Sequence, residues 1–448
     1  MKTVIHNAVI FTNAGATPVL TSHAVVIDGH RIAEISPENE ARQKHPEAVR
    51  LDAGGRLLMP GLINAHMHFY STFARGLALP QPPRDFAEVL RLLWWKLDAS
   101  LDDAAVYYSA LLAATTAVRH GVTAVIDHHA STNAIAGSLD RIAEALELVG
   151  MRGVLCYEIT DRNGKAGAAA GLAENERFLQ KCRHANREDE CHLFDAMVGL
   201  HASFTVDDDT LEAAAGLSRA HHAGCHVHVL EDSVDQLLTR ARYGRDVIER
   251  LHAFGILGPQ SLAAHCIHLT QADQEVLAQT QTLVAHNPQS NMNNAVGRSD
   301  IFGLLRRGLM VGIGTDGMSP ALLPDLRTAT LLHKHDLRDC NAGWHEVQQM
   351  VLRNNPAIYH RLTGKRIGEI SPGSLADLVL IDYYPATPLT AENFWGHLLY
   401  GIAEAPVDTT MINGKIVVQN GELLQLDEQQ IAAAARTVAQ RVWQRFYE

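Results

Sequence analysis

Pro60-Gly61-Leu62-Ile63-Asn64-Ala65-His66-Met67-His68-Phe69 is the stretch on which the reading of this chain turns. A short apolar run ends in two imidazoles two residues apart. In an extended strand, residues i and i+2 share a face, so His66 and His68 point to one side and can grip one ion. The pair is weak by itself. The chain carries 25 histidines, and at that frequency a His-x-His pattern arises roughly once or twice by chance. Its weight comes from what surrounds it.

Downstream, short apolar runs alternate with helical stretches such as 104–119 and 210–222. Strands are predicted at 62–69, 123–128, 153–160, 197–204, 226–230, 261–266, 282–286 and 310–314, each followed by room for a loop and a helix. Eight strand–helix units predict an α/β fold, a (β/α)₈ TIM-type barrel. An open doubly wound sheet is the competitor, but it normally carries a glycine-rich phosphate turn, and neither GxGxxG nor GxxxxGK[ST] occurs. The predicted strand ends hold metal-type residues: His66 and His68 on the first, His226-Val227-His228-Val229-Leu230-Glu231 on the fifth, Ala264-His265-Cys266 on the sixth, Gly314-Thr315-Asp316-Gly317 on the eighth. That rim is where barrels build active sites. Three imidazoles and a carboxylate suit one borderline divalent ion, Zn²⁺ first and Fe²⁺ second.

Each of these residues has a plainer reading: His265 as a hydrogen-bonded core histidine, Asp316 as a turn opener, Glu231 as a solvated helix start. Their ordered recurrence on the first, fifth, sixth and eighth strands outweighs those readings. The third His-x-His, His333 and His335, falls in a predicted helix, where i and i+2 diverge, and is taken as chance.

Both chain ends read as β-rich. The runs around Asp28-Gly29 and Asn413-Gly414 have the form of hairpins, with Leu378-Val379-Leu380-Ile381-Asp382 a further strand. The expected domains are a β-sandwich from 1–57 and 373–425, the barrel at 58–372, and a closing helix at 426–448. With 47% hydrophobic residues, 20% charged residues and a net charge of −12, the chain has material for a large core and nothing to recommend nucleic acid as a partner. Six scattered cysteines without a CxxC pair fit a reducing compartment, and no membrane span or signal peptide is read, so the expected location is cytoplasmic.

The ordered set Pro60 to His68, His228-Val229-Leu230-Glu231, His265 and Thr315-Asp316 resembles the amidohydrolase superfamily, in its deaminase and chlorohydrolase branch. The stretch from Gly368 to Asp377 is similar to that branch's return from barrel to β domain. Trp94-Trp95-Lys96-Leu97-Asp98, Val125 to Ser131, Thr160-Asp161-Arg162-Asn163 and Ser290 to Asn294 resemble the SsnA-type aminohydrolases. The resemblance implies His66, His68, His228 and Asp316 as metal ligands, with His226 the rival of His228. It also implies Glu231 as proton shuttle, His265 as the residue that orients and polarises the attacking water, and Asp316 as the base. Other superfamily members bridge two metals with a modified lysine on a middle strand. The third and fourth predicted strands hold none, so a single ion is expected.

The implied reaction is hydrolysis of a C–N bond, with deamination of a small purine-, pterin- or pyrimidine-like heterocycle and release of ammonia. Arg75, Trp94, His201 and Asn291 are the candidate substrate contacts; Trp95 could also stack a ring. Related proteins are often dimers or larger, so a homo-oligomer is expected. Ring opening of a cyclic amide, or chloride displacement, would use the same centre. A metal-bound regulatory or binding protein without activity is the alternative of another class, but mere binding needs no Glu231. The HxE/PCxxC zinc deaminases are excluded, since no PCxxC occurs.

Overall fold

Short apolar strands buried on both faces close most readily into a parallel barrel wrapped by helices. The computed structural model, which describes residues 2–448, has this architecture. Its barrel strands are β1 (Leu62–Met67), β2 (Val122–Asp127), β3 (Arg152–Leu155), β4 (Val198–Ala202), β5 (Cys225–Val229), β6 (Leu262–His265), β7 (Leu283–His286) and β8 (Val311–Ile313). Parallel pairing runs β1–β2–β3 in one arc and β4 through β8 in order in the other. All eight predicted strands form. The third is shorter than expected because the Tyr157 amide donates to the Asn175 side chain at 2.9 Å, leaving only isolated bridges beyond Leu155.

The arcs join at two seams, and a glycine sits at each. Between β8 and β1, Met67 bridges Asp316 and the Thr315 amide donates to the His66 carbonyl at 2.9 Å. A Cβ on Gly314 would lie 2.7 Å from that same carbonyl oxygen. Between β3 and β4, Ile159 bridges Leu200, and a Cβ on Gly199 would lie 2.3 Å from the Tyr157 carbonyl oxygen. Neither seam admits a side chain, so the close backbone approach requires glycine.

The β-rich ends form two sheets that share a core. Lys2–His6 pairs with His23–Asp28 and Val49–Asp52, and Arg31–Pro37 completes a four-stranded sheet. A seven-stranded sheet draws strands from both chain ends, with Leu378–Ile381 pairing Leu57–Pro60 on one edge and Val407–Ile412 on the other. Ile5, Val25, Ile27, Leu58, Leu378, Leu380 and Met411 fill the space between them. In the 413–414 turn both residues have positive φ, as a tight hairpin requires. This turn abuts the 29–30 turn, where His30 Nδ1 lies 2.8 Å from the Asn413 carbonyl oxygen.

Helix Glu428–Tyr447 closes the chain and buries Val438, Val442 and Phe446. Trp443 Nε1–H donates to the Phe73 carbonyl at 2.8 Å and the Tyr447 hydroxyl to the Ala78 carbonyl at 2.7 Å. The helix thereby fastens the loop that leaves β1. None of the described helices is long and apolar enough to cross a membrane.

Candidate active site

Each rim histidine has one ring nitrogen tied down, and that tie fixes which nitrogen faces the barrel mouth. A backbone carbonyl can only accept, so a ring nitrogen bonded to it must carry the proton and leave the other bare. His68 Nδ1 donates to the His128 carbonyl, and His228 Nδ1 donates to the His201 carbonyl at 3.0 Å. Their Nε2 atoms face each other at 3.3 Å. His66 Nδ1 lies 2.8 Å from His226 Nε2, and His265 Nδ1 lies 2.9 Å from Asn291 Oδ1. The Nε2 atoms of His66 and His265 are buried without any hydrogen-bond partner. Such outer partners orient metal-ligating imidazoles.

Asp316 joins them from the far side of the β8–β1 seam. Its Oδ1 is 2.9 Å from His68 Nε2 and 3.5 Å from His66 Nε2, while Oδ2 accepts from the Ser290 hydroxyl. Two overlapping groups have ligand atoms that all lie within 4.8 Å of one another: His66, His228, His265 and Asp316, and His68, His128, Glu158 and His228. His66 and His68 thus fall into different groups, with His228 common to both. Orphaned imidazole nitrogens around a carboxylate are the donor set of a borderline divalent cation, so the residues fit such an ion.

The electrostatics separate the two carboxylates of the pocket. Burial raises Glu231 well above the ordinary carboxylate range, and the charge on Asp316 raises it further. Burial would do the same to Asp316, but the imidazoles of His66 and His68 beside it outweigh burial and hold Asp316 well below that range. Burial disfavours a charged His68, yet Asp316 and Glu158 outweigh it and lift His68 to about 9. The pocket favours positive charge at this point. Two neighbouring carboxyls pushed in opposite directions are the arrangement that divides acid from base work. His265 Nε2 stands near both, 3.5 Å from Glu231 and 4.0 Å from Asp316.

Four residues at these strand ends adopt positive φ without being glycine: Leu230 (48°), His265 (72°), Cys266 (51°) and Asp316 (53°). Each costs on the order of 1 kcal/mol or more. The twist turns the chain sharply at the rim, where the side chains are needed.

A profile of the amidohydrolase family matches residues 57–417. The chain is 31% identical to a 5'-deoxyadenosine deaminase of Methanosarcina mazei, over 98% of both chains. It is 30% identical to a 5-methylthioadenosine/S-adenosylhomocysteine deaminase of Pelotomaculum thermopropionicum, again over 98% of both. Among solved structures it resembles a zinc-bound adenosine deaminase from Xanthomonas campestris, with TM-score 0.85, 25% identity and 98% coverage of each chain. The chain belongs to the amidohydrolase family. The fold of atrazine chlorohydrolase from Arthrobacter aurescens is also similar, with TM-score 0.79 and 20% identity.

In this amidohydrolase the sequence-derived residues do not all land where expected. His68, His201, His228, Glu231, Asp316 and Trp94 line one pocket. Trp94 also lines a second hollow beside it, where exposed Arg75 lies with Ser71, Met318 and Ser319. Asn291 is fully buried and does not line the pocket; its Oδ1 faces His265 Nδ1 at 2.9 Å. His226 is likewise turned away to His66, leaving His228 as the strand's inward imidazole. His333 packs its ring 5.3 Å from that of His286, away from the pocket.

Sequence reasoning missed Glu158, Asp98, Asp235 and Asn294, all of which line the pocket. Glu158 was within reach. It sits in the predicted third strand between Tyr157 and Ile159, on the alternate face, and an acidic residue at that point of an apolar strand is itself a signal.

Proposed function

We propose that the chain is a metal-dependent aminohydrolase that hydrolyses a C–N bond of a small N-heterocycle and releases ammonia. The observation that carries this is the convergence of the bare Nε2 atoms of the rim histidines on Asp316, with the Glu231 carboxyl 3.5 Å from His265 across the same pocket. Similarity to relatives named as deaminases supports the reaction class. His66, His68, His228 and Asp316 would hold the ion, with zinc the first choice. A bound divalent ion would lower the pKa of a coordinated water to about 7 and so supply a nucleophile at neutral pH.

The chain's own groups do the rest. Asp316 accepts the proton that the attacking water gives up. Glu231 delivers a proton to a ring nitrogen of the substrate, which makes the adjacent carbon electrophilic. His265, held at Nδ1 by Asn291, accepts a hydrogen bond at its bare Nε2 from the attacking water and orients it toward the carbon that becomes tetrahedral. Asp316 then passes its proton to the departing amine while the hydroxyl proton of that carbon returns to Glu231. Trp94 offers a flat face to the ring. Unpaired cysteines fit a reducing cytoplasm, and a homo-oligomer is the assembly we propose.

Metal analysis of protein purified without added zinc, with an ammonia assay over purines, pterins and pyrimidines, tests the reading. Ammonia release with ring absorbance kept is expected. Loss of ring absorbance without ammonia would replace deamination by ring opening. Metal-loaded protein that turns over none of the panel would remove the aminohydrolase reading.

A further inference from the structure

Beyond β3 the chain continues as Cys156-Tyr157-Glu158-Ile159-Thr160 in extended form, bridged to its neighbours at Tyr157 and Ile159. Tyr157 and Ile159 face outward onto helix Gly164–Glu188, where a Cβ on Gly171 would meet them at 3.1 and 3.3 Å. Alternation turns Glu158 inward, and its carboxylate lines the pocket while only 3% exposed.

That carboxylate has no hydrogen bond from any side chain. Its oxygens stand 3.5 Å from His128 Nδ1, 3.7 Å from Arg162 Nη2 and 3.8 Å from His201 Nε2. Arg162 is committed elsewhere, donating to Asp98 at 2.8 Å with its guanidinium 4.8 Å from the centre of the Trp95 ring. His128 has both ring nitrogens buried and unpartnered. A buried acceptor left this way is costly unless something supplies a donor.

An ion could in principle supply the missing partner, since Glu158 and His128 group with His68 and His228. The bare Nε2 of His68 and of His228 is, however, the only free nitrogen on each ring. One lone pair binds one ion, so with the ion of the proposed reaction in place a second would have only His128 and Glu158. Two protein ligands fall short of the three or four that protein zinc sites use. Once a substrate fills the pocket and displaces its water, the donor has to come with the substrate.

We propose that Glu158 reads the substrate by accepting a hydrogen bond from a ring N–H, at an edge of the heterocycle other than the one Glu231 protonates. This rests on the aminohydrolase reading and narrows it: the substrate is a heterocycle with a free ring N–H, not one substituted at that nitrogen.

Paired probes test it: adenine with 9-methyladenine, guanine with 9-methylguanine, and cytosine with 1-methylcytosine. Each methyl removes one ring N–H and keeps the amino-bearing carbon. With zinc-loaded wild-type enzyme, ammonia release reports the parent reading, and calorimetric affinity reports Glu158 even where turnover fails. At least one N–H member is expected to be preferred by about tenfold or more, in affinity or kcat/KM, over its methylated partner. Glu158→Gln, which still accepts, should keep most of that preference. Glu158→Ala should collapse it to within about twofold, mainly through KM, with metal content unchanged. The proposal is overturned by equal affinity within every pair, by no affinity for any probe, or by an Ala variant that keeps the full preference, since simple crowding by the methyl would then explain it. Loss of metal in the Ala variant would also overturn it and make Glu158 a ligand.

Discussion

Two buried charged clusters lie at opposite ends of the barrel, and they are finished to different degrees. At the start of β3, Arg152 donates to Asp377 at 2.8 and 3.1 Å, to Asn413 Oδ1 at 2.8 Å and to the Cys191 carbonyl at 3.4 Å. Asp377 in turn accepts from the Asn413 amide at 2.9 Å. That cluster is closed and ties the barrel to the two-sheet domain. At the other end, buried nitrogens of His66, His128 and His265 have no partner. A closed network fixes structure; an open one at equal burial is reserved for something that binds.

The comparison breaks most sharply at the open end. Glu231→Gln or Asp316→Asn should lower kcat by about 10²–10⁴-fold, with the circular-dichroism spectrum and thermal midpoint close to wild type. Full turnover in either variant would strip that carboxylate of its role. At the closed end the signs reverse. Arg152→Ala should cost about 3–5 kcal/mol in stability, because it leaves Asp377 buried and unpaired. The paired change Arg152→Met with Asp377→Leu should cost much less, and molecules that remain folded should keep near-normal kcat. A denaturant titration beside an activity assay decides it; a stable Arg152→Ala enzyme would erase the contrast.

A smaller effect sharpens the same division. Asn291→Ala removes the acceptor that holds His265 and should lower kcat by about 10–100-fold while metal content stays normal. An unchanged kcat would mean that His265 is held by packing alone.

The smallest effect is one of pH. Burial pushes Asp325 up to about 8, and its Oδ2 has no partner. Its carboxyl ionises near 3.9 when unfolded, so the folded state binds the extra proton between those values. Stability from this group therefore falls as pH rises from about 4 to 8. Asp325→Asn should gain in thermal midpoint relative to wild type across that window, and a constant difference would show that the group does not titrate as described.

Much of this was legible in the sequence because strands buried on both faces announce themselves as apolar runs and barrels put chemistry at strand ends. His66, His68, His228, Glu231, His265 and Asp316 could be picked out for that reason. What escaped depends on where a side chain turns. Asn291 and His226 have the right chemistry, yet each points at another residue of the site and not into the pocket. Glu158 stands outside the histidine spacing, although strand alternation aims it inward. The early end of β3 depends on Asn175, a helix residue far along the chain, which no local pattern encodes.

The left-handed turns at Leu230, His265, Cys266 and Asp316 carry a consequence for anyone improving this enzyme. Glycine at Leu230 or Cys266 would relieve about 1 kcal/mol of torsional tension, but both side chains are buried in the core and losing Leu230 would cost more than that. The same swap slackens the corners that aim Glu231 and His265, so packing holds these bent residues in place and the site depends on the core behind it.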